Sequence, residues 1–142
     1  MTEEENKMAK MRTVFSMVLV AAVFVGPLFA HHSITGTYDT SKSVTIQGVV
    51  TRLEWRNPHS FIFLNAKDDN GRITEWRVEL GSVTTMNSGG LDKDLIDLTK
   101  TYSMEIFPAK DGTKSAVGVT LTFADGKTFE VMDKTLLPPI VK

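Results

Sequence analysis

Imidazole is scarce in this chain, which has three histidines, two of them adjacent at His31 and His32. The third, His59, follows Asn57-Pro58. The residues ahead of His31 have the three parts of an export signal: Lys7, Lys10 and Arg12, an apolar run from Val14 to Val25, and Gly26-Pro27-Leu28-Phe29-Ala30. A cut after Ala30 makes His31 the amino terminus and places an amine and two imidazoles within two residues. A terminal histidine chelates through its amine and its own ring, and a distant histidine completes a T-shaped set. Nitrogen donors in that arrangement suit Cu(II). The amine has a reference pKa of about 7.7–8.0, so a metal displaces its proton near neutral pH. His31, His32 and His59 are therefore candidate copper ligands. The plainer alternative makes His31-His32 a mobile polar tip and His59 a local turn cap.

Thr2-Glu3-Glu4-Glu5 is acidic where a signal should be basic. A start at Met8 or Met11 removes that block and keeps Arg12. Leu28, at minus three from the cut, is larger than usual. An uncleaved anchor is the competing reading, but about a dozen apolar residues fall short of the roughly 20 that span a bilayer. The expectation is a cleaved signal over residues 1–30 and a periplasmic or secreted chain with no membrane span. The terminal tripeptide copper motif, histidine third, would need a cut before Ala30. Phe29 would then occupy a position that favours small residues.

Residues 31–142 suffice for one core. The leader carries three basic and three acidic residues, so the net charge stays at −1 without it. That balance offers no footprint for nucleic acid or an anionic membrane. With no cysteine, thiolate nucleophiles, zinc–thiolate sites and iron–sulfur clusters are excluded.

The polar stretch 31–43 reads as an extended arm. In the strand that follows, Val44 and Ile46 keep one phase and Val49, Leu53 and Trp55 the other, which predicts a β-bulge at Gly48. Asn57-Pro58 ends it. Ser60–Lys67 and Ile73–Leu80 read as a hairpin around Asp68-Asp69-Asn70-Gly71. In its second strand Trp76 shares the core face with Val78 and Leu80, while Glu75, Arg77 and Glu79 point away. A short helix near Val83–Ser88 and a turn near Asp92–Asp97 come next, with Val83, Leu91 and Leu95 expected to cover one end of the core. Tyr102, Met104 and Ile106, then Val117, Val119, Leu121 and Phe123, alternate as two more strands. Asp125-Gly126 turns into a last one at Phe129 and Val131, and residues 134–142 form a tail.

Three strands, a helical connection and further strands predict an all-β domain over 44–133: a small OB-like Greek-key barrel. The alternative is an open antiparallel sheet with a helix on one face. Closure is preferred because it removes edges that a cysteine-free domain of this size must otherwise protect.

At Ala30-His31-His32-Ser33, Gly48-Val49-Val50 and Glu54-Trp55-Arg56-Asn57-Pro58-His59-Ser60 the chain resembles the small exported bacterial proteins grouped as domain of unknown function 6152. Asp111-Gly112 and the segment from Val119 to Gly126 also fit. The resemblance covers His31 to about Phe129 and implies export and this fold. It brings no established activity.

Trp55-Arg56 and Trp76-Arg77 suggest stacking platforms for a sugar or base, or simply core and barrel-mouth residues. Ser60 and His59 point to opposite faces of a strand and form no nucleophile–base pair. Asp92, Asp94 and Asp97 lack the glycine and glutamate of a calcium loop. Gly89-Gly90 lacks the lysine of a phosphate loop. The expected function is a non-catalytic exported module that binds a small ligand or partner protein at the barrel mouth, with Trp55 and Asn57 on the rim. The alternative is a periplasmic copper-binding protein using His31 and His59.

Overall fold

In the computed structural model the described residues are 3–5, which are helical, and 34–138. From Ile34 onward the chain forms one compact unit. Its strands are β1 (Val44–Glu54), β2 (Ser60–Lys67), β3 (Ile73–Leu80), β4 (Thr101–Pro108), β5 (Ser115–Thr122) and β6 (Thr128–Glu130). One helix, α1 (Val83–Ser88), joins β3 to β4 together with a 3₁₀ turn at Lys93–Leu95. The sheet order is β3-β2-β1-β4-β5-β6, and a parallel β3–β5 pairing brings its two halves together. The result is a closed five-stranded barrel with β6 appended, the OB-like architecture. The open-sheet alternative is excluded by that pairing.

The β2–β3 hairpin follows directly from its turn. Gly71 sits at φ 76°, where a side chain would be strained, and Asp68 accepts from the backbone of Asn70 and Arg72. Related turns recur where an aspartate accepts from the hydroxyl and N–H two residues on, as at Asp97–Thr99, Asp111–Thr113 and Asp133–Thr135. These bonds to threonine hydroxyls, then to backbone N–H groups, hold the three carboxyls below their ordinary value.

Two elements depart from the sequence reading. The β1 bulge is at Thr51, not Gly48: the β1–β2 register runs regularly through Gly48 and slips between Val50 and Arg52. Ile46, Gly48 and Val50 face inward before the slip, and Leu53 and Trp55 pack on the core after it. Gly48 has another task. A Cβ there would lie 2.5 Å from the Asn65 carbonyl oxygen, so glycine lets β2 approach. In the helical connection Met86 and Leu91 are fully buried and Ile96 nearly so, whereas Val83 is half-buried and Leu95 is 46% exposed. Gly90, at φ 82°, resets the phase ahead of Leu91, so Ile96 takes the inward place assigned to Leu95.

The arm is also not extended throughout. Residues 34–37 are helical, and Tyr38 bridges to Ala109. Ile34 and Tyr38 join Phe107, Val117 and Met132 in a second apolar cluster, with Leu136 and Leu137 packed against it. Arm and tail thus share one outer face of the barrel.

Trp76 packs against the main core with Trp55, each only partly buried. Full burial of an indole makes its truncation cost about 3–5 kcal/mol. Trp76→Ala is accordingly expected to cost about 2 kcal/mol, read as a lower urea midpoint at unchanged slope.

Candidate functional site

The loop between β1 and β2 carries the sequence-predicted residues, and the structure gives each a different role. Asn57 is exposed, but its Oδ1 accepts from the Val83 N–H at 3.0 Å and so ties the loop to the start of α1. Trp55 rests on the core. Ser60 is completely buried; its hydroxyl accepts from the Arg56 N–H and donates to the Arg56 carbonyl. That pair of bonds pins both ends of the loop and commits the Ser60 hydroxyl to the Arg56 backbone. His31 and His32 lie outside the described residues.

His59 is held from behind. Its Nδ1 lies 2.8 Å from Glu79 Oε1, and the Tyr38 hydroxyl donates to Glu79 Oε2, also at 2.8 Å. The imidazole side chain is 45% exposed and that of Glu79 19%. With Nδ1 donating to the carboxylate, the lone pair of a neutral ring sits on Nε2. His59 is thereby set to accept a hydrogen bond or to ligate a metal. Among the described residues, no group of three or more histidine, aspartate or glutamate side chains is placed to hold a metal ion.

Around this chain of bonds the outer face of β2 and β3 is aromatic and cationic. Phe61 pairs with Glu79 and Phe63 with Arg77 across the strands. Both rings point away from the core yet are nearly buried, because guanidinium groups cover them. The Arg77 guanidinium lies 3.8 Å from the Phe61 centroid, that of Arg56 5.4 Å from the same ring, and that of Arg52 3.6 Å from Phe63. Stacked in this way, Arg77 serves Phe61 and not its neighbour Trp76.

Sequence reading found His59 but missed its supports. Glu79 was within reach of it, since the Asn-Gly hairpin register places residue 79 opposite residue 61. Tyr38 was not, because the docking of an arm leaves no periodic pattern.

Burial first, then the bond to Glu79, raises the Tyr38 hydroxyl above its ordinary value of about 10. A phenol favoured in its neutral form stabilises the fold fully below about pH 10 and loses that contribution as pH rises further. Tyr38→Phe is expected to cost about 1 kcal/mol at neutral pH and to flatten the alkaline fall in stability, measured by urea unfolding from pH 7 to about pH 11.

Among the described residues no helix is long and apolar enough to cross a membrane. No curated protein and no solved structure matches the chain. Residues 18–119, which include the His59 loop, Glu79 and most of the barrel, match the family described as Family of unknown function (DUF6152). The chain belongs to that family.

Proposed function

We propose that this is an exported, non-catalytic binding module, cut after Ala30 and released to the periplasm or medium. Its contact point for a small ligand or an exported partner protein is Nε2 of His59. The Tyr38–Glu79–His59 chain of hydrogen bonds carries this reading, because it holds the ring through Nδ1 and takes no part of Nε2, on a side chain that is 45% exposed. Arg56 and Arg77 on Phe61 add donors beside it. The neighbouring hydroxyl, Ser60, is committed to the Arg56 backbone and offers His59 no nucleophile. Trp55 and Asn57 brace the loop.

The test is the His59 ring resonance in NMR spectra, followed on addition of a periplasmic extract separated into protein and filtrate. A shift with the filtrate identifies a small ligand, and one with the protein fraction identifies a partner. A ring unmoved by either overturns the reading.

The same geometry favours a second reading, a copper-binding protein in which His59 joins His31 and His32. A metal-bound histidine usually gives its other N–H to a carboxylate, as His59 gives Nδ1–H to Glu79. Cu(II) titration of the secreted chain, followed by electron paramagnetic resonance, tests it. His59→Ala should remove one nitrogen coupling and weaken binding. One residue added before His31 should weaken it strongly, and affinity should fall between about pH 7 and pH 5 as imidazole protonates. Equal affinity in wild type and His59→Ala removes His59 from the site.

A further inference from the structure

Four arginines lie among the described residues, and three of them have carboxylate partners. Arg52 and Arg56 share Glu54, and Arg72 holds Asp68. Arg77 has no such partner among the described residues, although Glu75 and Glu79 flank it on β3. Glu75 accepts instead from the Thr51 hydroxyl, and Glu79 is taken by Tyr38 and His59. The Arg77 guanidinium rests on the Phe61 ring, a contact that engages none of its five N–H donors. Its backbone is fixed from both sides, opposite Phe63 of β2 and Ser115 of β5. Around the two phenylalanine rings the guanidiniums of Arg52, Arg56 and Arg77 meet the carboxylates of Glu54 and Glu79. Glu75 lies one pair further along, opposite Asn65. The face beside His59 therefore has one positive charge in excess.

We propose that the ligand of the His59 site is a small carboxylate, held by the Arg77 guanidinium. This rests on the reading of His59 as the contact point and names the chemistry of what that point meets. The planar fork of a guanidinium matches the two oxygens of a carboxylate and bonds them side by side. A cation is disfavoured by the excess charge. A polyanion is not called for, because only one guanidinium is unpaired and the other two already share Glu54. Arg77 and His59 also border the same group: the Arg77 charge acts on the Tyr38 hydroxyl, and that hydroxyl donates to the carboxylate that holds His59. An acid bound at Arg77 is thus felt at the imidazole.

The full chain is titrated at constant ionic strength with acetate, succinate and citrate. Inorganic phosphate is the tetrahedral comparison and acetamide the neutral one, while the Arg77 Nε–H and the His59 ring are followed by NMR. At least one carboxylate should move both signals with a Kd in the millimolar range, and acetamide should move neither. Arg77→Lys keeps the charge and a stem over Phe61 but loses the fork, so it should weaken binding by about fivefold or more. Arg77→Gln should weaken it further. Arg72→Lys, at the hairpin turn, should leave it unchanged. Four outcomes overturn the proposal: no Arg77 shift with any carboxylate at about 50 mM, tighter binding of phosphate than of all three, an Arg77 shift that leaves the His59 ring unmoved, or wild-type affinity in Arg77→Lys. If the periplasmic filtrate or protein fraction still moves His59 in any of these cases, the contact-point reading stands and only the carboxylate falls. A ring that answers neither extract nor acid ends both.

Discussion

Gly48→Val is expected to lower stability by at least about 3 kcal/mol, a loss large enough to leave much of the chain unfolded. The cause is backbone against backbone. A Cβ at position 48 would stand 2.5 Å from the Asn65 oxygen, 2.8 Å from the Asn65 carbonyl carbon and 3.1 Å from the Ala66 Cα. None of these atoms can rotate away, so β2 must retreat, and Gly48↔Ala66 is the first pair of the β1–β2 ladder. Gly36→Ala is the control, because its added Cβ meets nothing within 4 Å. Gly118 falls between the two: the nearest atoms are the side-chain tips of Val131, Leu80 and Met104, which can shift. Urea unfolding of the three variants should rank Gly48→Val far below Gly118→Ala, and Gly118→Ala below Gly36→Ala. A Gly48→Val midpoint close to wild type would mean that β2 does not lie where the register places it.

The second large effect is in the helical connection. Leu91→Asp buries an unpaired carboxylate in the main core and is expected to cost about 4 kcal/mol or more. Leu95→Asp, on a side chain 46% exposed, should stay within about 0.5 kcal/mol. Asp92→Ala should cost more than its exposure suggests, about 0.5–1 kcal/mol, because its carboxylate accepts from the Asp94 N–H and caps the 3₁₀ turn. Equal losses at Leu91 and Leu95 would return the connection to the phase that the sequence spacing implies.

Regular strands were legible in the sequence wherever alternation was unbroken and a turn fixed its origin. Ser60–Lys67 and Ile73–Leu80 have the observed bounds of β2 and β3, and Val83–Ser88 those of α1. Reading failed where a bulge is encoded by something other than glycine. β1 slips at Thr51. β5 slips as well, because Glu105 pairs with Thr120 and Ile106 with Gly118, leaving Val119 over. Val117, Val119, Leu121 and Phe123 look like one continuous stripe, yet the first two belong to the outer cluster and the last two to the barrel core. Nothing in four alternating apolar residues reveals that they serve two cores. The candidate site was legible in the same partial sense. Its one reactive atom lay in a recognisable loop, and the groups that orient it came from β3 and from an arm that sequence alone left without a docking place.

The parallel β3–β5 contact also sets an order of events. It consists of three pairs, Arg77↔Ser115, Val78↔Ala116 and Glu79↔Val117, between segments that the chain makes far apart. A chain emerging from its amino end forms the β1–β2–β3 meander early, because those contacts are local and their loops short. β3 then keeps a bare edge until Ser115–Thr122 arrives. During that interval the half-made sheet is open to pairing with a second copy. Ring closure is thus late and slow by construction, and a chain halted before Ser115 is expected to aggregate rather than fold as a smaller version of itself.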